Sequence, residues 1–391
     1  MPELRFPEFK NAGEWKEIKL GEVTKINTGN SNREDSQETG GKYVFFDRSE
    51  DIRTSNKYIF NGEAIIVGGE GQKFIPKYFI GKFDLHQRAY AIMNFDNKLL
   101  GKYLFYYIYF NKKYFKQYAV GSTVKSLRLP IFQKMPIKFP SQSEQQKIAG
   151  LLSSLDEHIE AESEILESLK QHKKGLLQKL FPQEGKKIPE LRFPEFENEG
   201  EWEEKKLGEL VTKVLKKNKN EIIKTVFTNS ATDGIIEQRD FFDKDIANKS
   251  NLENYYIVRQ GDYVYNPRIS KYAPVGPLFK NKTNKTGVMS PLYTIFRFKN
   301  EDNDFYQYYF KSNHWFSSIK RVSNRGARFD RISITSSDFM KIPILSPLIK
   351  EQKKIADTLS SLDELIEAQA EKIEKLKQHK KGLMQKVFPK M

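Results

Sequence analysis

Apolar residues recur in an alternation of four and three at Ile148, Leu152, Leu155, Ile159, Leu166, Leu169 and Leu176. This spacing lays one narrow stripe along a helix and predicts a helix from Glu144 to Pro182. The pattern returns at Ile355, Leu359, Leu362, Ile366, Ile373, Leu376 and Leu383, within a second copy from Glu351 to Pro389. Glu162 and Lys173 stand where the seven-residue rhythm calls for apolar side chains, and Gln369 and Lys380 take the same places in the second copy. About 38 residues at 1.5 Å each make a rod of about 57 Å. A lone amphipathic stripe fits a helix packed on a globular core, whereas two matching heptad stripes predict helices that pair with each other.

The repetition reaches beyond the helices. PELRFPEFKNAGEWKEIKLGEV, from Pro2 to Val23, returns as PELRFPEFENEGEWEEKKLGEL, from Pro189 to Leu210. The chain is therefore two tandem units, each an opening segment, a variable region and a long helix. The variable regions, roughly 24 to 143 and 211 to 350, read as short β-runs punctuated by Gly, Asn and Asp. Expected strands are Tyr43 to Phe46, Ala64 to Val67, Phe74 to Ile80 and Arg88 to Met93, then Lys224 to Thr228, Tyr255 to Arg259, Asp262 to Tyr265 and Leu292 to Phe298. Aromatic helix-like segments follow at Lys98 to Val120 and Asp302 to Val322. Each precedes a polar loop, GSTVKSLR from Gly121 and NRGARFDR from Asn324. Ser141 to Glu144 has the form of a capping box. Ser346-Pro347 predicts a looser start for the second helix.

Composition narrows the partner. Lys and Arg number 66 against 51 Asp and Glu, a net charge of +15, which favours a polyanion such as nucleic acid or a membrane surface. An aromatic content of 13% marks folded basic regions rather than solvated tails. The apolar run Tyr103 to Phe110 is too short to span a membrane. The opening lacks the order of a signal peptide, and the absence of cysteine excludes disulfides and thiolate metal sites. These features agree with a cytoplasmic protein.

Catalytic signatures are sparse. There is no GxxxxGK[ST] phosphate loop. Gly68-Gly69-Glu70-Gly71 departs from the dinucleotide pattern and reads as a strand-end turn. Asn266-Pro267-Arg268-Ile269 lacks the second proline and the stacking aromatic of an amino-methyltransferase signature. His86, His158, His172, His314 and His379 show no ligand spacing, and no metal is expected.

Nucleic-acid readout has more support. Ser122, Thr123, Lys125 and Arg128 in one loop, and Asn324, Arg325, Arg328 and Arg331 in the other, combine hydroxyl, amide and cationic groups. Gln87 and Arg88 beside His86, and Arg268, Lys271 and Tyr272 beyond Asn266, have the same chemistry. Arg and Lys suit phosphates and guanine edges, amides suit adenine, and hydroxyls suit either. Any one of them taken singly is equally a solvated surface group.

The doubled PELRFPEF opening and the doubled EQ.KIA..LSSLDE.IEA helix resemble the specificity subunit of type I restriction-modification enzymes over the whole chain. The resemblance implies an α+β fold. Two target recognition domains of mixed α/β structure would be linked by two long helices in an antiparallel coiled coil, as a tandem repeat with pseudo-twofold symmetry. The expected division is 1–143 for the first recognition domain with its opening, 144–182 for the first long helix, 183–350 for linker, second opening and second domain, and 351–391 for the second helix. Each domain would read half of a split double-stranded DNA site. The chain would not be an enzyme. Two methyltransferase subunits binding S-adenosylmethionine, and restriction subunits using ATP and Mg²⁺, would carry the chemistry.

A duplicated chain with antiparallel helices presents two different heads in opposite senses, so the expected site is asymmetric and interrupted. A rod of about 57 Å spans about 17 base pairs, an upper limit on head separation. Heads on one side of the duplex favour about 10 base pairs. If the helices overlap fully, Glu162 and Gln369 meet at the centre of the seam and fix its register. The rival reading is a non-catalytic coiled-coil interaction protein whose basic heads bind RNA or other polyanions.

Overall fold

Both stripes form continuous helices, Gln142–Lys179 and Ile349–Val387, in a computed structural model that describes residues 2–241, 249–300, 304–325 and 330–389. Every stripe position from Ile148 to Leu176 and from Ile355 to Leu383 is buried or half-buried, and most flanking positions are exposed. The chain divides into two units, Met1–Glu164 with Ala370–Met391, and Ile165–Gln369. Each unit therefore holds the beginning of one long helix and the end of the other.

The first unit is built on a six-stranded sheet. Its strands are β2 (Lys25–Thr28), β3 (Tyr43–Phe46), β4 (Arg53–Ser55), β5 (Phe60–Gly68), β6 (Lys77–Leu85) and β7 (Ala89–Met93), ordered β2-β7-β5-β6-β3-β4. Only β3 and β6 run parallel. A separate pair joins β1 (Lys16–Lys19), from the opening segment, to β8 (Pro136–Phe139), just ahead of the long helix. The strand expected from Phe74 begins at Lys77 instead. Phe74 has φ 44°, a left-handed conformation that an aromatic residue adopts only under tertiary constraint and that cannot continue a strand.

The second unit has a four-stranded sheet ordered Val211–Lys213, Thr294–Phe298, Tyr263–Tyr265 and Leu278–Lys280. A hairpin joins Phe227–Ser230 to Gly234–Glu237, and a longer-range antiparallel pair joins Tyr256–Val258 to Gly287–Met289. Its opening strand Glu203–Lys206 pairs with Pro343–Ser346, repeating the β1–β8 pairing. The aromatic segments each break in two, into Gly101–Phe110 with Lys113–Tyr118 and Phe305–Tyr309 with Phe316–Val322.

The repeated opening acts as a clasp. In the first unit Arg5 donates from Nε and Nη2 to both Glu144 oxygens at 2.7 Å, at the start of one long helix. Leu4 N–H donates to Lys386 O at 2.9 Å, using a carbonyl that the end of the other helix leaves free. In the second unit Arg192 holds Glu351 at 2.8 Å, and Leu191 N–H donates to Lys179 O at 2.9 Å. The capping box is half formed: Ser141 Oγ accepts from Glu144 N–H at 3.4 Å, but the Glu144 carboxylate is taken by Arg5. The second helix starts at Ile349, two residues after Pro347. Gln352 Nε2 donates to Ser346 Oγ at 2.9 Å and Pro347 O at 2.8 Å, tying its first turn to the preceding strand, as Gln145 Nε2 does to Pro140 O at 2.9 Å in the first helix.

The Phe-Pro pairs close each core with a residue from the other repeat. Phe388 stands 5.5 to 5.8 Å from the Tyr103, Tyr107 and Phe110 rings in the first unit. Phe181 packs on Trp202, Phe305 and Tyr309 in the second. The lysines that interrupt the stripes also have matched roles. Lys380 pairs with Asp156, which accepts from Tyr106 Oη at 2.7 Å, and Lys173 pairs with Asp363, which accepts from Tyr308 Oη at 2.8 Å. Each ammonium lies over its tyrosine ring, 5.1 Å and 5.5 Å from the centroid. Each pair ties an early position of one long helix to a late position of the other, the antiparallel sense. The buried Glu162 accepts from Lys372 Nζ at 2.7 Å.

Candidate nucleic-acid interface

In the first unit β5 ends in the Gly68 to Gly71 turn, and that turn gathers the polar clusters. Gly69 N–H donates to Arg88 O at 2.8 Å and Gly69 O accepts from Leu127 N–H at 2.8 Å. Gly71 N–H donates to Lys125 O at 3.0 Å. Segments 86–88 and 121–128, far apart in sequence, thus lie on either side of one turn. A Cβ at Gly69 would stand 2.5 Å from Arg88 O, so only glycine permits this approach. The 121–128 loop is closed by two bonds between Val120 and Ser126, at 2.9 and 2.7 Å. Ser122, Thr123 and Arg128 are exposed and Lys125 is half-buried.

Two charged residues outside the sequence-derived set complete this face. Glu70 accepts from Arg48 Nη1 at 2.8 Å and from Arg88 Nη1 at 3.0 and 3.1 Å. Burial raises the Glu70 carboxyl pKa, but hydrogen bonds and charge from Arg88 and then Arg48 outweigh it and hold the group below the usual carboxylate range. His86 Nδ1 accepts from Arg88 N–H at 3.0 Å, which requires that nitrogen unprotonated. Burial, chiefly, pushes the His86 pKa down in agreement. Gln87 is exposed and donates from Nε2 to Asn32 Oδ1. No spacing in the sequence links Arg48 or Glu70 to Arg88; the sheet does so, because Arg48 follows β3 while Glu70 and Arg88 flank β5 and β7.

The second unit gathers its clusters in a related way. Strand Tyr263–Tyr265 runs into Asn266-Pro267-Arg268-Ile269, and Ile269 N–H donates to Asp330 O while Ile332 N–H donates to Pro267 O, both at 2.9 Å. The turn beyond, closed by reciprocal bonds of Ser270 and Ala273, presents exposed Lys271 and Tyr272. Arg268 Nε lies 3.4 Å from an Asp330 oxygen, again an exposed arginine beside a carboxylate. Arg331 is half-buried, with Nε unpaired among the described residues. Asn324–Arg325 pairs as a short strand with Ile332–Ser333. Arg328 lies outside the described residues, as do the side chains of Asn324 and Arg325. Asn266 serves its turn: Oδ1 accepts from Arg268 N–H at 3.0 Å and Nδ2 donates to Asn229 O at 3.2 Å.

Among the described residues no three His, Asp or Glu side chains gather as a metal site, and no helix is long and apolar enough to cross a membrane.

Comparison with known proteins bears on the family of the chain. The chain matches the family described as the type I restriction modification DNA specificity domain twice, over residues 12–171 and 199–378. It is 26% identical to the type I restriction enzyme MjaVIII specificity subunit of Methanocaldococcus jannaschii, over 97% of this chain and 92% of that one. It is 31% identical to the Escherichia coli EcoDI specificity subunit over 40% of this chain and 35% of the relative. The fold is similar to the crystal structure of a type I restriction-modification system S subunit from M. genitalium, with TM-score 0.61 at 16% identity and 100% of each chain covered. Both halves being matched by one family, this protein belongs to the type I restriction-modification DNA specificity family.

Proposed function

We propose that each unit reads one half of an asymmetric, interrupted site in double-stranded DNA, and that the paired long helices space the units and dock two methyltransferase subunits. The observation that carries this reading is the convergence, in each unit, of two sequence-distant polar clusters on one turn at the end of a strand. The scaffold repeats while the clustered side chains differ, as two readers of different sequences require. In the first unit Gln87, Arg88, Ser122, Thr123, Lys125 and Arg128 face the DNA. In the second Arg268, Lys271, Tyr272 and Arg331 do so, joined by Asn324, Arg325 and Arg328 from the same loop. The net charge of +15 supplies the general attraction to phosphate. Adenine methylation with S-adenosylmethionine, and ATP- and Mg²⁺-dependent cleavage, fall to partner subunits.

The test is modified-base sequencing of DNA from cells carrying the methyltransferase partner, with and without this chain. An interrupted adenine-methylation motif that depends on the chain is the expected result. Methylation that is independent of the chain, or absent from a verified complex with an active partner, overturns the reading.

A further inference from the structure

The turn Gly68 to Gly71 brings a carboxylate into a face otherwise suited to polyanions, and that carboxylate needs a reason. Glu70 is held by two arginines, its side chain only 17% exposed while Arg48 and Arg88 are 54% and 59% exposed. Arginines intended only for phosphate bind better without an acid beside them, because the acid cancels part of their charge and repels the same phosphates. Exposed arginines also need no partner, since water satisfies them at little cost. The carboxylate therefore lowers general affinity for DNA. What it provides is geometry.

We propose that Arg88 reads a guanine in the half-site taken by the first unit, and that Glu70 is the positioning residue that aims it. The proposal rests on the half-site reading above. Arg88 spends only Nη1 on Glu70, contacting both oxygens, and among the described residues its guanidinium makes no other hydrogen bond. Nε and Nη2 remain free as a parallel pair of donors, the pattern that meets O6 and N7 of guanine in the major groove. Five further contacts limit its movement. Arg88 N–H is tied to His86 Nδ1 and its carbonyl to Gly69 N–H. Glu70 is flanked by the Gly69–Leu127 and Gly71–Lys125 bonds, and Arg48 holds one carboxylate oxygen from the other side. A reader fixed in this way loses less side-chain freedom on binding than an unsupported arginine.

The test uses the full chain assembled with its modification partner, bound to a randomised double-stranded DNA library and read by sequencing the retained fraction. The unaltered complex should select an interrupted motif with at least one required guanine in one half. Arg88→Ala should lower the preference at one guanine position by about tenfold or more and leave the other half unchanged. Glu70→Ala should lower preference at that same position while retention of DNA lacking the motif holds or rises. Glu70→Gln, of nearly the same shape and with one acceptor oxygen kept, should fall between the unaltered complex and Glu70→Ala, and guards against a folding artefact. A motif with no guanine that responds to Arg88→Ala overturns the proposal but leaves half-site reading intact. So does a Glu70→Gln or Glu70→Ala complex that loses affinity for all sequences equally with unchanged preference, which marks Glu70 as merely structural. Selection of no interrupted motif overturns the half-site reading itself.

Discussion

Arg192 and Glu351, 159 positions apart, form a two-bonded ion pair whose side chains are only 7% and 1% exposed. Arg5 and Glu144 make the same pair in the first unit. The two differ in one donor: Trp202 Nε1 also donates to Glu351 at 3.2 Å, whereas Trp15 Nε1 is buried with no partner among the described residues. Removing either arginine strands a buried carboxylate, at a cost of about 3–5 kcal/mol. Arg5→Ala should be the more damaging, because Glu144 keeps no indole donor. Urea unfolding of both variants checks the order, and equal losses would show that the tryptophan bond contributes little.

The Tyr–Asp–Lys groups between heads and helices predict a graded response. Tyr308→Phe removes the bond to Asp363 and should cost about 1 kcal/mol. Lys173→Leu should be tolerated to within about 1 kcal/mol. It restores an apolar residue to the stripe while Tyr308 still donates to Asp363. Burial raises the Asp363 pKa, but bonds to Lys173 and Tyr308 bring it below its usual range, so the leucine variant should also raise it. Thermal unfolding of the two variants tests the ranking.

Arg268, exposed on the turn beside Asp330, should act through one half-site only. If it contacts a base, Arg268→Ala costs about 1–3 kcal/mol and relaxes one position of that half. Equal weakening on every sequence, with a shallower salt dependence, would mark a phosphate contact. Competition binding at two salt concentrations separates these outcomes, and assembly with the partner should survive the change.

His314 stacks on Phe181, and burial lowers its pKa to about 4 despite opposition from Glu184. The folded unit therefore binds fewer protons than the unfolded chain between about pH 6.5 and about pH 4. Its stability should fall as pH drops through that window and be unaffected by this group above it. The contribution is on the order of 2 kcal/mol, below the full shift because the ring is partly exposed. His314→Phe should remove this component, seen as a smaller pH dependence of the unfolding midpoint.

Much of the architecture is legible in the chain because its causes are local and periodic. The stripe from Ile148 to Leu176 requires a helix, and its second copy requires another, whatever surrounds them. Strands such as Tyr43–Phe46 and Tyr263–Tyr265 follow from runs of β-branched and aromatic residues. Arg88, Arg128 and Arg268 stand out by residue type and by their place near turns.

What the sequence does not display is which partner each residue meets. The doubled PELRFPEF marks a repeat, but only folding reveals Arg5 and Arg192 as clasps on Glu144 and Glu351. Phe388 reads as the end of a helix, yet it completes the core of the other repeat's aromatic segment. Phe74 breaks its expected strand because tertiary contacts hold it left-handed. Glu70 reads as one letter of a glycine-rich turn, and only sheet pairing sets it between Arg48 and Arg88. Periodicity fixes a side chain's face from neighbours within a few residues. A charge's partner is fixed by backbone hydrogen bonds between segments tens of residues apart, and their pairing is decided when the sheet and the helix pair close.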